Sequence, residues 1–386
     1  MPVGLPPGKY KLVGLDLEAT GRRLMDEVIQ IAAHVPPGNN FSQYIMPHGD
    51  LNQGARRRIN VRVVTVGRYR MLKDTAMQQV IKTKSEVSAL KDFLDWLESI
   101  KGKKEMILLM YHEPRRLVPT LLIQSLIRHS LFDRFKTLVA GFTDSYALCA
   151  VKCKGTFKSV ALGVLTRLLL DADVYRSDTA LDRAVAVYNI IELLANQEGG
   201  YLDVNNGDEA AAFTGPSEEM QKLACEFARP VYTEVEAFEA LKDLLEKQNT
   251  FRSAFIPLLR APRAERLRLT QLRRHLADAG LLYEQVKDAW HEGRRAGLMN
   301  LLTPLEQTLS AEDIQKLVDL FDKHFSPEIE LPAVAEPSFN FTDDSDGPYL
   351  SSDSDSSGHQ SSSMSGTGLA AAFFGLEEEL DLILDF

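Results

Sequence analysis

The 386-residue sequence has little cysteine and no long hydrophobic run, and each scarcity excludes a class of protein. Its three cysteines, Cys149, Cys153 and Cys225, lack the paired spacing of a zinc site, so we expect buried free thiols in a reducing compartment. No apolar run reaches the length of a membrane span, and the first residues, MPVGLPPGKY, lack the apolar stretch of a signal peptide. The sequence therefore predicts a soluble, cytoplasmic protein with no membrane partner.

Lysine and arginine are absent from residues 326–386, which hold 13 of the 54 acidic side chains. The other 41 acids are opposed by 44 Lys and Arg within residues 1–325, so this part carries a net charge of +3, which permits a nucleic-acid partner. Residues 327–386 are rich in Ser, Asp and Gly, which predicts a disordered acidic tail. Its end, GLEEELDLILDF, mixes acids with Leu, Ile and Phe. That pattern indicates a segment that folds on a partner, with an incidental hydrophobic end as the alternative.

The first 195 residues show the succession of strands and helices that is typical of a layered α/β domain. A three-stranded meander is predicted over residues 9–47 from the segments YKLVGLD, EVIQIAAHV and FSQYIMP. Residues 85–100 have the apolar spacing of an amphipathic helix, and MILLMYH at 106–112 is typical of a buried strand. Further helices are predicted at 116–130, 143–152, 158–170 and 178–195.

The rest of the chain divides into a linker, a helical domain and the tail. Residues 196–216 are polar and glycine-rich, which predicts a flexible linker. Residues 217–326 are predicted to form an all-α domain that opens with a long helix from Ser217. Shorter helices are expected near 251–259, 263–279, 282–293, 295–302 and 310–324.

Two carboxylates occur at the end of the first predicted strand, in the segment GLDLEATG. Because side chains alternate along a strand, Asp16 and Glu18 project from the same face. Two carboxylates placed in this way can ligate a divalent metal ion.

The DLEATG box and the order of elements over residues 9–194 resemble the DEDD family of 3′–5′ exonucleases. In that family four acidic residues hold two metal ions, and a metal-bound water attacks the phosphodiester. The resemblance implies an RNase H-like fold, a mixed sheet flanked by helices, in which Asp16 and Glu18 match the first two acids.

The other two acidic positions of that family carry different residues here. Where the family has His-Asn-x-x-Phe-Asp, this chain has HEPRRL, which places Leu117 at the aspartate. Where the family has His-x-Ala-x-x-Asp-Ala, this chain has DTALDRA, which places Arg183 at the aspartate and Asp178 at the general-base histidine. Asp182 is one residue away, on the wrong helix face. The resemblance therefore implies a degenerate site with no catalysis, no bound metal and no cofactor.

Two alternatives remain for the Asp16–Glu18 pair. One is a salt-bridge or helix-cap role, with Arg183 as the candidate partner. The other is residual metal binding in a weak metal-dependent 3′–5′ exonuclease that uses Asp16, Glu18 and either Asp178 or Asp182.

Several longer runs are similar to the exuperantia family of maternal-effect proteins of insect oocytes, among them FSQYIMPHGDLNQGARRRINVRVVTVGRYRMLK, YHEPRRLVPTLLIQSL and LEKQNTFRSAF. The similarity covers about residues 7–327, with an interruption at the linker. It implies an exonuclease-like domain without nuclease activity, followed by a SAM-like domain. It also implies binding of messenger RNA through structured untranslated regions, homodimers, and proteins of a messenger-RNA transport complex in cytoplasmic ribonucleoprotein particles.

Arginine placement is the evidence for RNA binding that comes from the residues themselves. Arginine favours bidentate phosphate contacts and base stacking, and an interleaved tyrosine adds a stacking surface. A solvated basic helix face, or a protein scaffold with indirect RNA association, is the alternative. The candidate RNA-binding residues are Arg56, Arg57, Arg58, Arg62, Arg68, Tyr69, Arg70, Arg115 and Arg116 in the first domain, and Arg252, Arg260, Arg263, Arg266, Arg268, Arg273 and Arg274 in the second.

Overall fold

The computed structural model describes residues 4–103, 105–170, 179–198, 216–256 and 262–326. It divides into two units, one ending at Glu246 and the next beginning at Lys247. The strands of the first unit are β1 (Tyr10–Ala19), β2 (Val28–Val35), β3 (Asn39–Ile45), β4 (Val61–Val66), β5 (Tyr69–Asp74), β6 (Val80–Ile81), β7 (Thr83–Lys84), β8 (Met106–Tyr111), β9 (Val139–Asp144) and β10 (Ala228–Pro230).

Helices α1–α9 belong to this unit or begin in it. Their bounds are α1 (Gln53–Arg58), α2 (Glu86–Ile100), α3 (Leu117–Arg128), α4 (Phe132–Leu138), α5 (Ser145–Lys152), α6 (Leu162–Leu169), α7 (Ala180–Glu198), α8 (Glu218–Glu226) and α9 (Val231–Thr250). No helix among the described residues combines the length and the apolar character that crossing a membrane requires.

Seven strands form the main sheet, in the order β10-β9-β8-β1-β2-β3-β7. Strand β1 pairs with β2 in the antiparallel sense and with β8 in the parallel sense, so the sheet is mixed. One face packs against α2, α3 and α4, where Phe93, Leu122 and Phe135 are fully buried. The opposite face packs against α5–α8 through side chains such as Leu148, Ile191 and Leu223. The predicted mixed sheet flanked by helices, with the meander of β1–β3, is confirmed.

The first unit extends further along the chain than the sequence indicates. Residues 228–230 lie within the predicted long helix, but they form strand β10 and pair with β9. Helix α9 then buries Val231 and Phe238 in the same core as α2. Residues 217–246 therefore belong to the first unit, which differs from the predicted boundary at residue 217.

A separate sheet of three strands, β4-β5-β6, follows α1. Its pleat separates two sets of side chains. Val61 and Leu72 face inward and are buried with Ile29, Leu51 and Ile59. The cross-strand pairs Arg62–Lys73, Val64–Met71 and Val66–Tyr69, together with Val80 opposite Lys73, face the other way. We call this second set the open face.

The second unit is helical, as predicted. Its helices are α10 (Arg252–Phe255), α11 (Arg263–Asp278), α12 (Tyr283–Leu302) and α13 (Ala311–Phe325). They enclose a core in which Phe251, Leu276 and Phe321 are fully buried. Helix α12 is broken at Arg294, where φ is 51°, close to the predicted division between helices at 282–293 and 295–302. Residues 199–215 of the predicted linker and the predicted tail lie outside the described residues.

Candidate functional site

Alternation along β1 places Asp16 and Glu18 on the sheet face that carries α7. The odd-numbered apolar side chains of β1 point the other way, into the core beneath α2 and α3. Gly14 lies on the α7 side, and a Cβ atom there would be 2.1 Å from the carbonyl oxygen of Ala184. Because position 14 has no side chain, α7 approaches the strand closely and brings Arg183 beside the two carboxylates.

Arg183 bridges both carboxylates. Its Nε and Nη2 donate to Asp16 Oδ2 at 2.9 and 2.8 Å, and Nη2 also donates to Glu18 Oε1. Arg58 approaches from α1, with its Nη2 3.5 Å from Glu18 Oε2. The salt bridge that the sequence offered as an alternative is therefore present. Charge-assisted hydrogen bonds of this kind are stronger than neutral ones and hold the side chains in one arrangement.

Burial changes the protonation equilibria of this group of side chains. Burial raises the pKa of Asp16 to about 7, although the Arg183 guanidinium acts to lower it. Burial also acts to lower the pKa of Arg183, but the neighbouring Asp16 and Glu18 outweigh that effect and the pKa is raised. Arg183 therefore remains a cation, and Asp16 is the group whose charge responds to pH near neutrality.

The second motif completes the wall of a cleft of about 550 Å³. Leu117 lines this cleft together with Asp16, Glu18 and Arg183, so the structure brings together the four positions that the alignment of motifs predicted. Glu113 also lines the cleft, but its Oε2 accepts the backbone N–H groups of Arg115 and Leu117, both at 2.9 Å. It caps the start of α3.

His112 is held in the same wall by two hydrogen bonds. Its Nε2 lies 2.8 Å from the carbonyl oxygen of Val160, and its Nδ1 lies 2.8 Å from Ser145 Oγ. A carbonyl only accepts, so Nε2 carries the proton and Nδ1 accepts from the Ser145 hydroxyl. Burial lowers the pKa of His112 to about 4, which keeps the ring neutral.

Asp182 has a local role at the beginning of α7. Its Oδ2 accepts the Thr179 N–H at 3.0 Å, while its own N–H donates to Thr179 Oγ1 at 3.1 Å. Asp178 lies outside the described residues. Within the part of the chain that the structure describes, no group of three His, Cys, Asp or Glu side chains is arranged to hold a metal ion. A guanidinium between two carboxylates and a leucine at the third position do not fit a two-metal site.

The predicted RNA-binding residues of α1 and the β4–β5 hairpin are exposed, but Arg70 differs from the others because it contacts a neighbouring loop. Arg56, Arg57 and Arg58 form the exposed last turn of α1, Arg62 lies on the open face, and Arg68 and Tyr69 are exposed at the β4–β5 turn. Arg70 projects to the inner side, where it donates to the carbonyl of His48 and, at 2.9 Å, to that of Gly49.

Arg115 and Arg116, which follow the buried strand β8, are both half-buried. Arg116 donates to Glu234 at 2.9 Å, and Arg229 donates to the same carboxylate at 2.7 Å. Glu234 is only 3% exposed. Its ion pair with Arg116 therefore joins the start of α3 to α9 within the first unit and has a structural role. Arg116, predicted as part of the basic rim with Arg115, is therefore engaged in an internal ion pair with Glu234.

In the second unit, acids occupy part of the predicted cluster. Arg268 bonds Asp313 at 2.6 Å and lies 3.3 Å from Glu312, and Arg274 lies 3.6 Å from Asp278. Arg252 is exposed, whereas Arg266 and Arg273 are half-buried. Arg260 and the side chain of Arg263 lie outside the described residues.

Arg22 is a cleft residue that the sequence analysis did not select. It lies on the wall beside Arg58, and burial together with the charge of Arg58 lowers its pKa. The available signal was its position directly after Thr20-Gly21, within the box that carries Asp16 and Glu18. The basic rim of the cleft thus includes Arg22 and Arg58.

Comparison with known proteins identifies both domains. Residues 10–169 match the family described as Exuperantia RNAse H-like domain, and residues 252–324 match the Exuperantia SAM-like domain. The chain is 36% identical to Maternal protein exuperantia of Drosophila virilis over 368 residues, which cover 86% of this chain and 74% of that protein. It is 33% identical to Maternal protein exuperantia-1 of Drosophila pseudoobscura pseudoobscura over 364 residues, covering 87% and 72%. Maternal protein exuperantia of Drosophila melanogaster is 32% identical over 377 residues, covering 84% and 70%.

Proposed function

Because the chain belongs to the exuperantia family, with an RNase H-like domain followed by a SAM-like domain, we propose that it is a non-catalytic RNA-binding protein of messenger-RNA localisation in the oocyte. It binds structured untranslated regions through basic surfaces of both domains and needs no cofactor. It acts as a homodimer with proteins of a messenger-RNA transport complex, in cytoplasmic ribonucleoprotein particles.

The observation that carries the proposal is the position of Arg183 between Asp16 and Glu18. A two-metal mechanism needs negative charge there to hold the ions and to activate a water molecule. Here the Arg183 guanidinium offsets part of that negative charge, and Leu117 supplies no third carboxylate. The cleft is therefore suited to holding a nucleic-acid strand without cutting it.

Phosphate contacts then account for most of the affinity. The exposed arginines of α1 and the β4–β5 hairpin, together with Arg22 on the cleft wall, supply cations. Tyr69 is 67% exposed and offers its ring to a base. Binding of this kind falls steeply with salt and shows little dependence on sequence.

The test is a fluorescence-anisotropy titration of labelled RNA with the full chain, repeated over a salt series in EDTA and in Mn²⁺. We expect the same affinity in EDTA as in Mn²⁺, a steep loss with salt, and no shortening of the RNA. Shortening from the 3′ end in Mn²⁺ that disappears in the Asp16→Asn, Glu18→Gln double variant would establish the exonuclease instead. Failure to bind RNA at low salt would favour the alternative, a protein scaffold that associates with RNA indirectly.

A further inference from the structure

The open face of the small sheet carries apolar side chains that nothing among the described residues covers. Val66 and Tyr69, 60% and 67% exposed, form a cross-strand pair at one end of this face, and Val80, 62% exposed, lies beside Lys73 toward the other end. Val64 and Met71, half-buried, lie between the two ends of this face. A contiguous apolar patch on a sheet, as opposed to a single exposed residue, marks an interaction surface.

The charges on the open face have one sign. Arg62 and Lys73 lie opposite each other across β4 and β5, and Arg68 follows at the turn. The acidic residue nearest in register, Asp74, is on the opposite face, where its Oδ1 accepts the N–H groups of Ala76 and Met77. The occupant of this face should therefore combine aliphatic side chains with negative charge.

One segment of this chain has that composition. Residues 378–386, EELDLILDF, hold four acids, five apolar residues and no Lys or Arg. From Leu380 onward the apolar positions 380, 382, 384 and 386 recur with period two, and Asp381 and Asp385 alternate with them. In an extended conformation this pattern gives one apolar edge flanked by carboxylates.

We propose that residues 378–386 bind in extended form on the open face of the β4-β5-β6 sheet of the same chain. The apolar side chains of Leu380, Leu382, Leu384 and Phe386 lie along Val66, Tyr69 and Val80, while the acids approach Arg62 and Lys73. A second copy of the sheet is the poorer occupant, because it would bring two cationic faces together.

Zero-length carbodiimide cross-linking of the full chain without RNA tests this contact, because the reagent joins carboxylates to amines that are already in contact. We expect amide links between Lys73 and residues 378–386, several-fold more abundant than links to Lys91, an exposed lysine of α2. The Leu382→Ser, Leu384→Ser double variant should lose most of the Lys73 links, while Ile383→Ser, on the other edge of the segment, should keep them.

A mixture of ¹⁵N-labelled and unlabelled chains separates the possible sources of the segment. Links confined to chains of one isotope support the proposal, and links between isotopes overturn it in favour of a second copy. Equal yields at Lys73 and Lys91, or retention of the Lys73 links in the double variant, also overturn it. Since the experiment contains no RNA, its outcome is independent of the proposed function.

Discussion

In the cleft, Arg183 lies between Asp16 and Glu18 with only 17% of its side chain exposed, whereas Arg62 lies on the open face among apolar side chains and a second cation. Both arginines belong to the first unit. Arg183 forms ion pairs with two buried carboxylates, and Arg62 is exposed. A count of arginines therefore overstates the nucleic-acid surface, because buried and exposed guanidinium groups have different roles.

The largest expected effect is on stability in the cleft. Arg183→Ala leaves two buried carboxylates without their cation, and breaking such a pair costs about 3–5 kcal/mol of unfolding free energy. The matched change Arg62→Ala should cost less than about 0.5 kcal/mol, as is usual for an exposed position. Urea unfolding at pH 7 measures both. The Arg183→Ala deficit should shrink at pH 5, because Asp16, whose pKa is already raised to about 7, is protonated there. Equal losses for the two variants would contradict the comparison.

A second effect belongs to His112, whose pKa of about 4 lies below that of an unfolded histidine. The unfolded state then binds the additional proton, so this contribution to stability is present above pH 6.5 and is lost as the pH falls toward 4. The loss amounts to up to about 3 kcal/mol. His112→Gln should flatten the dependence of unfolding free energy on pH in that window. An unchanged slope would show that His112 is not held neutral by the fold.

Acids at positions 117 and 183 would make the cleft strongly negative and able to bind a divalent metal ion. The Leu117→Asp, Arg183→Asp double variant presents four carboxylates and should be stabilised by Mn²⁺, by about 2.7 kcal/mol at a hundredfold excess over the dissociation constant. Thermal unfolding with and without Mn²⁺ measures this, with the wild type as the control. Equal stabilisation of the wild type would show that Asp16 and Glu18 still bind metal.

RNA affinity should distinguish the exposed arginines of the first unit from Arg268, which is ion-paired in the second unit. Reversing Arg57, Arg62 and Arg68 to Glu should weaken RNA binding by at least about tenfold and lower the salt slope by about 2. Arg268→Glu should have a smaller effect on RNA, since Asp313 already engages that side chain at 2.6 Å. Anisotropy titrations at several salt concentrations would compare them. A larger loss from Arg268→Glu would place the RNA surface on the second unit.

The smallest expected effect concerns competition on the open face. If residues 378–386 cover Arg62 and Lys73, neutralising Glu378, Glu379, Asp381 and Asp385 to their amides should raise RNA affinity about fivefold, or about 1 kcal/mol. Neutralising Asp343, Asp344, Asp346 and Asp353 is the control for a general loss of negative charge. An equal gain from both sets would attribute the effect to net charge alone.

The sequence predicted the meander, the mixed sheet, the helical second part and the positions that meet in the cleft, because these depend on local periodicity and on motif spacing. Strand β10 was missed because its three residues lie between two helical patterns and pair with the distant strand β9, although Pro230 was a local signal against a continuous helix. The structural role of Arg116 was also missed, since its partner Glu234 lies 118 residues away and no local pattern connects them. Interactions between distant residues thus decided which predicted arginines remained exposed.

Gly14 gives the cleft its dimensions without contributing an atom to its chemistry. A single methyl group at this position would press on the Ala184 carbonyl, one residue from Arg183, and move α7 away from β1. The guanidinium would then withdraw from Asp16 and Glu18 even though all three side chains were intact. The electrostatic balance of the cleft is therefore set by helix-to-sheet spacing as well as by the charged residues themselves.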